Sequence, residues 1–213
     1  MKTCLFSLPL ICLGLGCTVS YNVGVNGYSS SGQTLQIHQA SSIYVVVDSN
    51  SPNPILEEEI GMKIQKLLNK NGYSIGTEEA NHYLLFDYGI NSGRTVTDTI
   101  PLYHPNAYYE YPFSGVYWHG YTTYMPYSTV VYTRWLVLKL IDGKAYRASG
   151  KAKPLWIGEA VSAGTNSDLR ERINYMLIAA FEHFGQDTGK RVNVLFSEDD
   201  ERLKLLTEPW EIR

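Results

Sequence analysis

The chain has 213 residues, of which 44% are apolar and 18% are charged, and its formal net charge is −3. A chain of this length can bury enough surface to fold as one domain without disulfides, so a disulfide scaffold is excluded. The net charge is slightly negative, whereas nucleic-acid-binding proteins carry an excess of basic residues. We therefore expect no nucleic-acid partner. The unusual feature is tyrosine, with 17 residues against 6 Phe and 4 Trp.

The N-terminal segment has the pattern of a secretion signal. Lys2 precedes an apolar run from Cys4 to Leu15, which is too short to span a bilayer and suits the core of a signal peptide. Gly16-Cys17 resembles the cleavage box of bacterial lipoproteins, in which the cysteine becomes the lipidated first residue. We therefore predict a signal peptide over residues 1–16 and a membrane anchor of acyl chains, palmitate among them, on Cys17. A plain signal peptide or a buried apolar strand are the alternatives.

The residues after Cys17 predict a location and a linker. Thr18, in place of the aspartate associated with inner-membrane retention, favours the outer membrane, with the folded domain in the periplasm. Residues 18–42 are rich in Ser, Gly, Asn and Gln and carry no acidic or basic side chain, which is typical of a flexible tether. The sequence thus predicts a tether over residues 17–42 and one domain over residues 43–213.

Periodicity then predicts the elements of that domain in chain order. A β-branched run at 43–47 predicts a buried strand, and Asn53-Pro54 predicts the start of a helix that ends at Gly72. Further strands are predicted at 82–90 and 129–141. Asp142-Gly143 predicts a tight hairpin turn into a strand over 144–156. A second helix is predicted from a cap at Thr165 or Ser167 to Gly185, followed by an edge strand at 192–196 and a short acidic-capped helix through Leu206.

These elements predict an α+β fold. We expect one sheet of about four to five mostly antiparallel strands, two amphipathic helices on one of its faces, and a long Tyr-rich loop or hairpin.

Short phrases along the chain carry a family resemblance. They include Lys70-Asn71-Gly72-Tyr73, the strand entry Glu79–Leu85, and Leu138–Asp142 leading into Arg147–Gly150. With the helix that ends Ala180–Phe184, this pattern resembles a family of small bacterial outer-membrane or periplasmic lipoproteins known as a domain of unknown function, over residues 43–185. The resemblance implies an envelope location and an α+β domain, and it implies no catalytic residues.

The tyrosine excess is concentrated in an excursion at residues 101–133, which holds nine of the 17 tyrosines and a single charged residue, Glu110. Tyrosine combines apolar area with a polar tip, as interfaces and sugar-binding platforms require. We predict a binding surface made of Tyr103, Tyr108, Tyr109, Tyr111, Phe113, Tyr117, Trp118, Tyr121, Tyr124 and Tyr127. The alternatives are a hairpin that packs on itself, a cover for the open face of the sheet, and contact with a lipid interface.

Motifs of catalysis and metal binding are missing from the sequence. It contains no G-x-S-x-G, no H-E-x-x-H, no phosphate-binding loop and no dinucleotide fingerprint. The spacing of His104 and His119 fits no tight pair of metal ligands, so we expect neither a metal nor a cofactor. A carboxylate pair could be imagined from Asp87 and Glu110, but nothing in the sequence sets their separation.

These observations predict a lipid-anchored envelope protein that binds or scaffolds and is not an enzyme. Its expected partners are the membrane, through the lipid, and an envelope protein or peptidoglycan glycan, through the Tyr-rich excursion. A hydrolase of envelope glycan and a self-associating structural lipoprotein are the alternatives.

Overall fold

The computed structural model describes residues 20–35, 37, 41–110, 115–197 and 199–207, and for residues 106–110 and 115–119 it describes the backbone alone. The predicted signal peptide and Cys17 lie outside the described residues. Among the described residues, no helix is both long and apolar enough to cross a membrane.

One mixed sheet of eight strands forms the centre of the structure. The strands are β1 (Ser20–Ser29), β2 (Ser42–Val46), β3 (Ser74–Ile75), β4 (His82–Ile90), β5 (Arg94–Glu110), β6 (Gly115–Asp142), β7 (Pro154–Gly164) and β8 (Val192–Ser197). Their order is β3-β2-β4-β6-β7-β1-β8, and β5 pairs with β6 outside this path. β2 is parallel to β3 and β4, and the other pairs are antiparallel. The prediction of four to five strands with two helices is therefore wrong.

In the described part of the chain, four helices accompany the sheet: α1 (Pro54–Lys70), α2 (Gly143–Ser149), α3 (Leu169–Glu182) and α4 (Lys204–Thr207), with a 3-10 helix at Glu201–Leu203 before α4. α1 begins where the sequence predicts, because the Asn53 side chain accepts a hydrogen bond from the Leu56 amide at 3.1 Å. Asp168 caps α3 by accepting from the Glu171 amide, so the predicted caps at Thr165 and Ser167 are wrong.

The core lies on one face of the sheet, against α1 and α3. Alternate residues of β6, namely Leu136, Leu138 and Leu140, are fully buried there. Trp156 of β7 is also fully buried, and its indole N–H donates to the Gln186 carbonyl at 2.9 Å. Burial of alternate strand residues against amphipathic helices is the usual way for a sheet to close a single core.

The predicted flexible tether over residues 17–42 is wrong for residues 20–29, which form β1 between β7 and β8. Val23 and Val25 are fully buried in the core. The intervening Gly24 and the later Gly27 leave room for Arg191 and for the Gln186 carbonyl, which a side chain at either position would overlap. The absence of a side chain at these glycines lets other parts of the chain pack against the strand, although glycine also gives the segment the composition of a linker.

The predicted hairpin turn at Asp142-Gly143 is wrong, because the helix α2 begins there. The Asp142 side chain accepts a hydrogen bond from the Ala145 amide at 2.7 Å and so caps a helix. Gly143 does not have the positive φ that a tight hairpin turn requires. The chain therefore forms α2 before it returns as β7, ten residues later than the strand predicted to start at Lys144.

Candidate binding surface

The Tyr-rich excursion forms a two-stranded antiparallel ribbon, which we define as Arg94–Glu110 of β5 paired with Gly115–Val131 of β6. At about 3.3 Å per residue, the 17 residues of β5 extend for about 55 Å. β5 pairs with β6 and with no other described strand. The excursion is therefore a hairpin, as one alternative predicts, while a cover over the open face of the sheet is wrong for the described residues.

The ribbon grows directly out of the sheet. β4 and β5 both run antiparallel to β6, and they are separated only by residues 91–93. Asn91 and Thr133 join the strands across this break, since the Asn91 amide donates to the Thr133 carbonyl and the Asn91 side chain accepts from the Thr133 amide. Gly93 has a φ of +82°, which a residue with a side chain adopts only with strain.

Arg134 fixes the ribbon at its root. Its side chain is fully buried, and it donates to the Ser162 hydroxyl and to the carbonyls of Gly164 and Asn166. No carboxylate among the described residues bonds to it. Because β7 and the loop after it hold this guanidinium, the position of β6 is fixed relative to the rest of the sheet at the point where the ribbon begins.

Register divides the ribbon into two faces. The first, which we call the aliphatic face, carries Arg94, Val96, Asp98, Ile100, Leu102 and His104 of β5 and Tyr121, Thr123, Met125, Tyr127, Thr129 and Val131 of β6. Five of these side chains are 43–57% exposed, namely Ile100, Leu102, Tyr121, Met125 and Tyr127. With about 200 Å² for each side chain, they present about 500 Å² of apolar surface, which is as large as the largest patch on a typical monomer.

The opposite face, which we call the polar face, carries Thr and Ser side chains together with Tyr103 and Tyr124. Thr97 and Ser128 share a hydrogen bond across the strands at 3.0 Å. The Tyr103 ring lies over Gly120, where a side chain would overlap it. Tyr124 is 67% exposed. Both faces of the ribbon are thus open, and they differ in chemistry.

Prolines interrupt both edges of the ribbon. Pro101 and Pro105 lie in β5, and Pro126 lies in β6. Each of them lacks the amide donor that an added strand would use, and prolines on edge strands are a known protection against such addition. The ribbon is therefore poorly suited to extend by strand pairing, and its faces remain as the binding surfaces.

The predicted tyrosines do not all lie together. Tyr121 and Tyr127 are on the aliphatic face, whereas Tyr103 and Tyr124 are on the polar face. For Tyr108, Tyr109, Tyr117 and Trp118 the backbone belongs to the paired strands, and their side chains lie outside the description. Tyr111 and Phe113 lie outside the described residues.

The surface predicted from the sequence contained only aromatic residues and left out the aliphatic ones. Ile100, Leu102 and Met125 are as exposed as the tyrosines, and Ile100 precedes the predicted excursion. Ile100 lies opposite Met125 in the register. The alternation of Val96, Asp98, Ile100 and Leu102 with threonine and proline was the sequence signal for a strand in this position.

A cleft of about 610 Å³ opens where β2 leads into α1. Asp48, Glu57, Asp87 and Lys139 line it. Glu57 is buried, and burial together with a hydrogen bond to Glu57 raises the pKa of Tyr88. Since Glu57 accepts hydrogen bonds from this tyrosine and from the Asp48 amide, it has a structural role at the helix start.

The imagined carboxylate pair is not brought together. Asp87 lies opposite Val137 inside the sheet, while Glu110 lies opposite Gly115 at the far end of the ribbon. Along β6 these positions are on the order of 70 Å apart, and glycoside hydrolysis requires carboxyl groups within about 10 Å.

His104 has partners within the ribbon. Its ring stacks on Tyr121 with centroids 4.8 Å apart, and its Nε2 lies 2.8 Å from the Thr123 hydroxyl. The side chain of His119 lies outside the description. Among the described residues, no three His, Cys, Asp or Glu side chains are grouped so that they could hold a metal ion.

Comparisons with known proteins add a family assignment. The sequence profile of a family described as "Domain of unknown function (DUF4136)" matches residues 20–184, from β1 through α3. No curated protein sequence matches the chain. A solved structure with a partly similar backbone is that of a PDZ domain protein from Parabacteroides distasonis ATCC 8503, at 14% identity and a TM-score of 0.42. The alignment covers 84% of this chain and 39% of that one, and the likeness is too distant to carry an argument.

Proposed function

We propose that this chain, which belongs to the DUF4136 family, is a lipid-anchored protein of the bacterial outer membrane that binds a partner protein through the aliphatic face of its ribbon. The observation that carries this proposal is the exposure of Ile100, Leu102, Tyr121, Met125 and Tyr127 on one face of a rigidly rooted hairpin. The family has no assigned function, so the argument depends on the geometry of the ribbon.

The apolar surface that the ribbon exposes to water is unfavourable in free energy, which supports a partner that covers it. A two-stranded hairpin has little stability of its own in water, because neither face is buried. Here the described part of the ribbon exposes both faces. Burial of about 500 Å² of apolar surface at about 25 cal/mol/Å² corresponds to about 12 kcal/mol before the costs of association.

The composition of the aliphatic face favours a protein over a glycan. Sugar-binding sites combine aromatic rings with side chains that bond to hydroxyl groups. The exposed Ile100, Leu102 and Met125 at the centre of the aliphatic face offer no such groups. Besides tyrosine, the polar side chains of this face are Arg94, Asp98, His104, Thr123 and Thr129, and of these His104 and Thr123 bond to each other. A surface of tyrosine, methionine and aliphatic residues matches the centre of a protein interface. Partner recognition of this kind requires no catalytic group.

Crosslinking tests the binding surface. A photoreactive residue at Tyr121 should capture a partner in the intact envelope, and one at Tyr124 should capture much less, because the two residues are similarly exposed on opposite faces. A captured adduct that contains peptides of a second protein supports the proposal. An adduct that only a muramidase releases would identify a glycan instead, and equal capture from both positions would contradict a face-specific surface.

Substitution provides a matched comparison. We expect Tyr121→Ser to reduce capture from a photoreactive residue at Leu102, while Tyr124→Ser leaves it unchanged. Sedimentation of the chain from residue 18 onward separates the self-association alternative, since a self-associating surface would give a mass that rises with concentration and falls in the Tyr121→Ser variant.

The anchor has its own test. Cys17→Ala should move the protein from the membrane fraction to the soluble periplasmic fraction, because the variant lacks the thiol that carries the lipid. Cys12→Ala is the matched control, as this cysteine lies within the predicted signal peptide and should leave fractionation unchanged. Membrane association that persists in Cys17→Ala would contradict lipidation.

A further inference from the structure

The ribbon and the N-terminal strand β1 leave the sheet at the same end. Gly24 of β1 lies beside Val161 of β7, and Val161 lies beside Trp135 of β6. Because both pairs are antiparallel, β1 and β6 run in the same direction. Ser20, where β1 begins, and Val131, where the ribbon joins the sheet, each lie four residues before this row. Two strand spacings separate them, which is about 10 Å.

Side-chain contacts join β1 to the root of the ribbon at this end. The Tyr21 hydroxyl donates to the Ser162 hydroxyl, and Arg134, which fixes the root, donates to the Tyr21 hydroxyl at 3.5 Å. The Tyr21 ring also packs on Tyr175 of α3, with 4.5 Å between the ring centroids. The start of β1 is therefore held beside the root of the ribbon, and whatever fixes the position of one also fixes the position of the other.

The proposed lipid on Cys17 brings this end of the sheet to the membrane. Three peptide units separate Cys17 from Ser20, and a fully extended chain covers at most about 11 Å over this length. With the lipidated Cys17 at the membrane surface, the start of β1 lies within about 11 Å of that surface and the root of the ribbon within about 20 Å. The end of the domain that carries the ribbon therefore faces the membrane.

The ribbon projects from this end for about 55 Å. β5 pairs with β6 alone, and the part of β6 in the ribbon pairs with β5 alone among the described strands. Both outer edges of the ribbon thus have backbone groups without a strand partner, and the hydrocarbon core of a bilayer does not accommodate such edges. We therefore expect the ribbon to lie along the membrane surface and not across the bilayer.

The composition of the ribbon favours a membrane protein over the lipid itself as its partner. Amphipathic segments that lie on lipid are typically rich in lysine and arginine on their polar side, where these residues attract anionic lipids. The ribbon has one such residue, Arg94, which lies at the root and on the aliphatic face. The exposed Ile100, Leu102 and Met125 suit an apolar protein surface.

We propose that the partner of the aliphatic face is an integral protein of the membrane in which Cys17 is anchored, and that it meets the ribbon at the membrane surface. This inference rests on the proposed function, from which it takes both the lipid on Cys17 and the protein partner. Because both proteins are held in one membrane, their effective concentration is high, and an apolar surface of moderate area is enough for a lasting contact.

Energy transfer to a labelled lipid tests the orientation. A fluorophore is attached to Ala163→Cys or to Lys153→Cys of the lipidated chain. Both positions are exposed, one near the end of β7 and the other directly before its start. In vesicles of phosphatidylethanolamine and phosphatidylglycerol with a rhodamine-labelled lipid, transfer from position 163 should be at least about twice that from position 153, since the two lie about 33 Å apart along the strand.

Equal transfer from the two positions, or greater transfer from position 153, would overturn the orientation and with it this inference. The protein partner of the proposed function would still stand. A chain that does not float with the vesicles would contradict the lipid anchor itself, and this inference would fail together with that part of the proposed function.

Crosslinking without the anchor tests the partner. In the Cys17→Ala chain, a photoreactive residue at Tyr121 should capture at least about tenfold less protein than in the anchored chain. The remaining adduct should stay in the membrane fraction after an alkaline carbonate wash, because only the partner can hold it there. An adduct in the soluble fraction would overturn the integral partner and leave the protein-binding proposal standing. An anchored chain that captures lipid alone, or nothing, would contradict the proposed function as well.

Discussion

Val23 and Val25 decide whether the N-terminal residues of the domain are a tether or part of the fold. Both side chains are fully buried in the core, on the strand that joins β7 to β8. Each Val→Ala change removes two carbons, which is about 1.6 kcal/mol at about 0.8 kcal/mol per carbon. Cavity formation adds to this, so the double variant Val23→Ala/Val25→Ala should lose about 3–6 kcal/mol of the free energy of unfolding.

Thermal unfolding followed by circular dichroism measures this loss. For a domain of this size, about 1 kcal/mol lowers the melting temperature by about 2–4 °C, so the double variant should melt about 6–24 °C lower. Asn22→Ala is the matched control, because Asn22 is exposed on the same strand and should change the free energy by less than about 0.5 kcal/mol. A double variant that melts like the unsubstituted chain would refute a structural role for β1.

Three further changes probe the core, a half-buried histidine and a helix cap. Trp156→Phe should cost about 2–4 kcal/mol in urea unfolding, because it loses the bond to Gln186 and leaves a cavity; no change would contradict the packing described. Burial lowers the pKa of His82 from 6.5 although Asp142 acts to raise it, so the folded state binds fewer protons than the unfolded chain. Stability should therefore fall as the pH drops below about 6.5, and His82→Gln should flatten this part of a melting-temperature profile; an unchanged slope would assign it to another group. Asn53→Ala should cost about 1 kcal/mol in thermal unfolding, and a neutral effect would show that the cap is dispensable.

Local signals were enough to predict several elements. The Asn53 cap, the proline after it and the apolar stripe of α1 all lie within one helix, and the bond from Leu56 confirms the start. The strands at His82–Ile90 and Val192–Ser197 follow from runs or alternation of apolar residues within each segment. The family resemblance is also confirmed, because the profile of the DUF4136 family matches residues 20–184.

Elements whose partners are distant in sequence were predicted poorly. β1 resembles a linker because Gly24 and Gly27 make room for residues more than 150 positions away. Asp142-Gly143 suits either a hairpin or a helix cap, and the short-range pattern could not choose between them. The strand count failed partly for the same reason, since β1 forms by pairing with β7 and β8, which lie far along the chain.

The candidate surface shows the same division. Sequence by itself determined that residues 101–133 are rich in tyrosine and poor in charge, and that Gly16-Cys17 resembles a lipidation site. Tertiary structure alone decided that Tyr121 and Tyr127 share a face with Ile100 and Met125, while Tyr103 and Tyr124 lie on the other. The physical reason is register: side chains alternate between the faces of a strand, and only the pairing of β5 with β6 decides which of them meet.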